Sequence, residues 1–568
     1  MATTIRRYKG RIYTTHLLRR SYRVGKAVRH ETLGNISHLP EQVVDLVRRS
    51  LAGETLVPAS ETISIIGSRP HGNVEAVLGL IRELGLDSMI ASKRSRERDL
   101  VIGMIAQRVL DPGSKLAGTR EWNLTTLGEE LDIRDVDVDE VYVSLDWLLA
   151  RQAAIEKKLA KRHLSEHGLV LYDVSSSFYY GHTCPLAKFG HSRDRKRGFP
   201  IIVYGVLTNA DGCPVATEVY AGNTGDPSTV SDQVEKIRER FGLEHVVLVG
   251  DRGMLTQPRI EAIKKHPGLG WISALRSSQI RELVDQERIQ MSLFDEQNLA
   301  EIDSPDFPGE RLVACFNPLL AEERRRTRSE LLAATEVSLS KIAAFAAKRR
   351  SKPLSDDEIG IKVGKVVGRH KMAKHIVCTI TAGSLAWKKN EESIRREELL
   401  DGIYVIRTSE PSDRLSAPDT VRSYKRLAEV ERAFRCLKSI DLMVRPIRHR
   451  LEDHVRAHIF IAVLAYYVHW HMRKRLAPLL FEDEDVAQLR PVRDPVAPAR
   501  PSPTAELKKA TRIGTDGLPL HSFTTLLHEL ANRTRNTCRL GTSPDSATFE
   551  KLTDKTPFQE KVLQLLGV

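Results

Sequence analysis

Three acids stand in three different settings: Asp173 in LVLYDVSSSFYYG, Asp251 in HVVLVGDRGM and Glu431 in YKRLAEVERAFRCLKS. Asp173 follows the apolar run 169–172 and Asp251 follows 246–250, so each reads as a carboxylate at the end of a strand. Partial desolvation there costs free energy unless the group is paired or holds a cation. Carboxylates drawn from distant segments are hard oxygen ligands suited to Mg²⁺ or Mn²⁺, and two such ions stabilise the attacking and leaving oxygens of a phosphodiester. Each acid alone has an ordinary explanation: Asp251-Arg252-Gly253 as a strand-ending turn, and Glu431 with Arg435 as a surface i,i+4 ion pair. The combination of two strand-end acids and one helix acid points to chemistry.

The elements that must position these acids follow from periodicity. From residue 168, GLVLYDVSSSFYY reads as a strand, FPIIVYGVLTNADGCPVATEVYAG as a hairpin turning at 209–212, and STVSDQVEKIRERFG as a helix. HVVLVGDRG then reads as a buried strand, followed by a helix in TQPRIEAIKKHPG and a strand in GWISALR, the order of a ribonuclease H-like sheet. DGIYVIRTSE predicts a further strand before the helix of Glu431. On that helix, at about 100° per residue, Leu427, Val430, Phe434 and Leu437 share an apolar face. Tyr424, Glu431 and Lys438, spaced by seven, fall on an adjacent stripe, with Arg435 one turn from Glu431. Ser175, Ser176 and Ser177 read as hydrogen-bonding support, and the basic run Lys188, Arg193, Arg195, Lys196 and Arg197 as either a solvated loop or a phosphate-contacting one.

The remaining pattern predicts six segments. They are a small basic β/α module at 1–65, a helical region and candidate DNA-binding module at 66–167, and an α/β core at 168–276 that resumes at 401–475. An α+β insertion at 277–400 separates the two core parts, and a Pro- and charge-rich connection with a last helix occupies 476–568. The formal charge of +13, from 87 Lys and Arg against 74 Asp and Glu, favours a polyanionic partner. The six cysteines include no Cys-x-x-Cys pair, which argues against a zinc site or disulfide framework and for a reducing compartment. The most apolar stretch, IFIAVLAYYV, is too short for a bilayer span, so it is expected as a buried helix of a cytoplasmic protein with no membrane partner.

These residues resemble the DDE transposases of bacterial insertion sequences, in the insertion-sequence-four superfamily. Its third block carries Tyr, two residues, Arg, three residues, Glu, six residues, Lys. Tyr424, Glu431 and Lys438 match it, while Leu427 occupies the Arg position with Arg426 beside it. AGNTGDPST resembles the family's Gly-Asn-Thr-x-Asp-x-x-Thr stretch, and the likeness spans 168–475. The resemblance implies Asp173, Asp251 and Glu431 as a catalytic triad holding two Mg²⁺ (or Mn²⁺) ions on a ribonuclease H-like core split by the insertion. It implies water attack on the phosphodiester at the element end, then attack of the freed 3′-hydroxyl on target DNA. Tyr424, Arg426, Arg435, Lys438, Arg252, Arg193 and Lys196 would contact double-stranded DNA. The terminal inverted repeats would be read from 1–165, by a homodimer on DNA in the nucleoid. The same acids would also serve a nuclease without strand transfer, and a transposase-derived DNA-binding protein without chemistry is a third reading.

Overall fold

Every side chain of the strand Val246–Val249 is buried, which a strand achieves only with neighbours on both edges and layers on both faces. The computed structural model, which describes residues 1–54, 62–194, 196–349, 353–514, 516–541 and 543–568, supplies both. Numbered in chain order, β5 (Leu169–Phe178), β6 (Ile201–Asn209), β7 (Pro214–Ala221), β8 (Val246–Val249), β9 (Leu269–Ala274), β10 (Leu299–Ile302), β11 (Arg311–Phe316) and β14 (Ile403–Thr408) form one sheet. Its order is β10-β11-β14-β9-β8-β5-β6-β7. β8 runs parallel to β5 and β9, and the other neighbours are antiparallel, so the sheet is mixed. The helices Gly72–Glu83, Arg96–Leu110, Val138–Leu149 and Glu452–Leu476 share one hydrophobic core with it.

The chain separates into two compact units, Met1–Arg69 with Thr534–Asp554, and Pro70–Arg533 with Lys555–Val568. The first holds the sheet β1 (Ala2–Tyr8), β2 (Arg11–Val24) and β3 (Ala27–Asn35), largely exposed along its strands, and the helix Glu41–Leu51. It also holds a second sheet in which β15 (Thr534–Leu540) lies between β4 (Ile63–Pro70) and β16 (Thr548–Leu552). The sequence reading placed only a helix and short tail at this end. The strands Thr534–Leu540 and Thr548–Leu552 and the final helix Pro557–Leu566 escaped it.

Two further departures concern the predicted insertion and connection. β10 and β11 extend the main sheet through β14, because Leu312, Val313, Ala314 and Cys315 are apolar on both faces and fully buried. The helices Pro318–Lys348 and Asp356–His370 and the hairpin β12 (Ile376–Thr381) with β13 (Ser384–Lys389) instead form a hydrophobic cluster of their own. The Pro-rich segment after 476 is seated on the fold: Val496 is buried, Lys425 donates to the Val496 and Ala497 carbonyls, and Lys508 donates to that of Ala477. Among the described residues, no helix is long and apolar enough to cross a membrane.

Candidate active site

Parallel pairing of β5 with β8 sets Leu171 opposite Val249. Two residues further on are Asp173 and Asp251, so the pairing brings the two acids to neighbouring positions at the centre of the sheet. Asp173 still lies within β5 and is half-buried, whereas Asp251 opens the turn after β8 and is exposed. The Asp251 carbonyl accepts from the Met254 and Leu255 amides, and its carboxylate accepts from the Tyr424 hydroxyl at 3.4 Å.

The helix Leu427–Lys438 buries Val430, Ala433, Phe434 and Leu437 against β5 and its neighbours, including an edge contact of Phe434 with Tyr204. Glu431 is left on the exposed side. The electrostatics of Asp173 register the convergence: its carboxyl is pushed up to about 7, first by burial and then by the negative charges of Asp251 and Glu431. A hydrogen bond from the Val174 amide at 2.8 Å and the charge of Arg193 act in the opposite direction. As a set the three carboxylates are not drawn within 4.8 Å of one another. Hard oxygen donors converging with mutual repulsion form a donor set that suits a divalent cation of the Mg²⁺ or Mn²⁺ type.

The predicted stripe of Tyr424, Glu431 and Lys438 is broken between Tyr424 and Glu431. The helix Ala417–Lys425 ends before Arg426, where Arg426 N–H donates to Ser423 and Glu429 N–H to Arg426, three residues back in each case. Tyr424 therefore sits on a separate helix and meets Asp251. The Arg426 guanidinium donates to the Ala210 carbonyl and to Asp211, tying the helix junction to the β6–β7 turn. Lys438 points inward, donating to the Ser176 carbonyl at 2.6 Å and to Asp194 at 3.0 Å. Arg435 and Arg252 are exposed.

Asp194, which sequence reading passed over, anchors this corner. Its side chain is 2% exposed, accepts from the Phe178 amide at 3.0 Å, and pairs with both Lys438 and Arg445. The signal was present: it is the one acid in the basic run FGHSRDRKRGF. Beside it, Arg193 is ion-paired with Asp226 of the GNTGDPST block, and its amide donates to Ser176 Oγ. Lys196 stacks over Phe178, 3.9 Å from the ring centre. Arg195 lies outside the described residues.

The glycine of GNTGDPST has a steric cause. A Cβ on Gly222 would lie well inside contact distance of the Ile201 and Lys188 carbonyl oxygens, where the backbone of the basic loop crosses. Gly222→Ala is expected to cost roughly 1–3 kcal/mol by overpacking, read as a lowered midpoint in urea unfolding. An unchanged midpoint would mean the loop yields freely.

An open cleft of about 730 Å³ extends from Asp251, Arg252 and Tyr424 to Arg281, Arg324 and Lys374, with Glu323, Glu397 and Asp401 also in its walls, so charges of both signs line the approach to Asp251.

Residues 175–468 match the transposase DDE domain family, and residues 1–58 match the IS1634 family transposase N-terminal domain. The first match includes Asp251 and Glu431 and begins two residues after Asp173. No curated protein matches the chain. The piggyBac transposase synaptic complex with hairpin DNA is similar at 9% identity with a TM-score of 0.32, over 82% of each chain. The Mos1 transposase paired-end complex with the left transposon end is similar at 12% identity with a TM-score of 0.15, over 43% of this chain and 69% of that one. The DDE match takes in more than half of the 568 residues. The chain belongs to the DDE transposases of insertion sequences, DNA-cleaving and strand-transferring enzymes that depend on divalent metal.

Proposed function

We propose that Asp173, Asp251 and Glu431 are the catalytic set of this transposase, on a ribonuclease H-like core, and that together they hold two Mg²⁺ or Mn²⁺ ions. The observation that carries the proposal is the β5–β8 register, which sets Asp173 beside Asp251 while both they and Glu431 share one electrostatic field. When bound, such ions neutralise the charge that develops on the attacking and leaving oxygens.

The chain's own residues orient the acids and the DNA. Tyr424 fixes the Asp251 carboxylate through its hydroxyl, and the Asp194–Lys438–Arg445 group holds the end of the Glu431 helix against β5. Arg252 and Arg435, exposed beside the acids, contact phosphates with Lys196 of the basic loop, which Arg193 holds in place through its pair with Asp226. Arg426 and Lys438, committed to protein partners, act by positioning. The exposed sheet β1–β3, carrying Arg6, Arg7, Arg11, Arg19, Arg20, Arg23 and Arg29, meets the terminal repeats. Joining two element ends requires two active sites, so the working form is a homodimer on DNA.

The test is incubation with DNA carrying the element's terminal repeats and a target duplex, in Mg²⁺ or EDTA. Metal-dependent joined products support the proposal. Cleavage alone would reduce the protein to a nuclease, and binding alone to a DNA-binding protein.

A pH dependence follows from Asp173. Protonation near pH 7 removes its capacity to ligate, so the half-saturating Mg²⁺ concentration for cleavage rises about tenfold per pH unit below about 7 and is level above. Without metal the sign is reversed for stability. The folded state keeps a proton that the unfolded chain releases near its ordinary value of 3.8, so stability falls as pH rises from there to about 7. Asp173→Asn removes both slopes, and titrations in which the variant keeps them would exclude Asp173 as their source.

A further inference from the structure

We propose that His163, Cys213 and His471 form a second metal site, distinct from the carboxylates, that takes a zinc ion. The three residues come from separate elements: His163 ends the helix Gln152–His163, Cys213 lies in the turn between β6 and β7, and His471 is on the long helix Glu452–Leu476. One ligand atom from each lies within 4.8 Å of the others, and among the described residues this is the group of His, Cys and acidic side chains so gathered.

The spacing is that of a tetrahedral site before it closes. Zn–S bonds of about 2.3 Å and Zn–N bonds of about 2.0 Å separate a sulfur from a nitrogen by about 3.6 Å. Cys213 Sγ stands 3.9 Å from His471 Nε2, so that pair closes with a shift of a few tenths of an ångström. One thiolate with two imidazoles is a borderline-soft donor set that suits Zn²⁺ and disfavours Mg²⁺.

The positions are also built rather than incidental. Asn209 Oδ1 accepts from the Asp211 and Cys213 amides, both at 3.0 Å, which fixes the turn carrying the cysteine. The Tyr467 hydroxyl lies 2.9 Å from His163 Nε2 and orients that ring, as second-shell partners of ligating histidines do. Cys213 is fully buried and His163 and His471 are half-buried, and with three protein donors a tetrahedral zinc ion would take water as its fourth ligand. Arg162, which donates to the Leu84 carbonyl beside the site, opposes a dication, and the thiolate charge offsets it. Binding displaces the Cys213 proton to solvent, and no electron is transferred.

Such an ion fastens the helical region to the hairpin and the long helix at the turn that Arg426 also grips, just before the helix of Glu431. Its role is to hold the sheet in place rather than to react with DNA. Absence of Cys-x-x-Cys spacing hid the site, because its ligands are 50 and 258 residues apart.

The test is titration of the purified full chain with Co²⁺ in place of Zn²⁺. Expected are a near-ultraviolet thiolate-to-cobalt charge-transfer band saturating at one ion per chain, which carboxylates cannot produce, and its displacement by Zn²⁺ but not by Mg²⁺. Cys213→Ser should abolish the band and His471→Gln should weaken binding at least about tenfold, the range for losing a ligand or its support. Cys436→Ser is the control: Cys436 stands 3.5 Å from His469, but among the described residues the pair is not part of a three-ligand group, and the variant should keep the band. Failure of wild type to give the band, which requires no variant to fold, overturns the proposal. So does an unchanged band in Cys213→Ser.

Discussion

Asp251→Asn leaves binding to element-end DNA within about twofold of wild type and lowers both cleavage and joining by roughly a thousandfold or more. The substitution keeps the size of the side chain and its hydrogen bond from Tyr424, and Asp251 is exposed, so neither packing nor the turn after β8 is disturbed. What changes is one formal charge in a set whose task is to hold cations. Glu431→Gln should behave alike, because its helix is seated by Val430, Phe434 and Leu437 while Glu431 itself is exposed. Asp173→Asn has the same effect on chemistry and adds stability in metal-free buffer at pH above about 7, where it removes a carboxylate that burial and its two neighbours disfavour. Gel-shift and strand-transfer assays on the same preparations separate the two readouts. A variant that joins DNA at the wild-type rate would remove its residue from the set.

Asp194→Ala is expected to destabilise the protein by about 3–5 kcal/mol. Its carboxylate is almost fully enclosed and compensates two cations at once, Lys438 at 3.0 Å and Arg445 at 2.7 Å, while receiving the Phe178 amide. Removing it leaves the Lys438 ammonium, 11% exposed, with the Ser176 carbonyl but without a counter-charge. Burial already pushes that ammonium down, and Asp194 is the largest influence restoring it. A double-mutant cycle with Lys438→Met isolates the pair: the double variant should be more stable than Asp194→Ala alone, since both buried charges are gone. Urea unfolding measures all four proteins. A loss under about 1 kcal/mol in Asp194→Ala would show that water compensates the lysine. Because the group fastens β5 to the Glu431 helix, joining should decline with stability.

Much of the core was readable because its strands state their burial in composition. LVLY, VVLV and LGWISA are apolar on both faces, as strands covered on both sides must be, and the acids that follow the first two, Asp173 within its strand and Asp251 just past its own, stood out against that background. The sheet position of β10 and β11 was less legible: LAEI and RLVACF are short, and what places them is pairing with β14, some hundred residues later. β15 and β16 were hidden for the same reason, being polar strands whose sheet includes β4 near the other end of the chain. The helix interruption at Arg426 has no proline or glycine to announce it; the guanidinium's grip on Ala210 and Asp211 is a tertiary contact. That contact also explains why the seven-residue spacing from Tyr424 to Glu431 does not run along one continuous helix and instead delivers the Tyr424 hydroxyl to Asp251, while Lys438, on the same helix as Glu431, ends in the Asp194 ion pair. Asp194 itself was masked by the basic residues around it, which suggested a solvated loop rather than a buried counter-ion.

The central claim, that three carboxylates distant in sequence hold metal together, is tested most directly by replacing Mg²⁺ with Fe²⁺ and generating hydroxyl radicals at the bound ion, then mapping where the backbone is cut. The expected result is scission near Asp173, Asp251 and Glu431 together, suppressed by excess Mg²⁺ and absent in Asp251→Asn. Cuts confined to the neighbourhood of only one of these acids, or a pattern indifferent to Mg²⁺, would contradict a shared site.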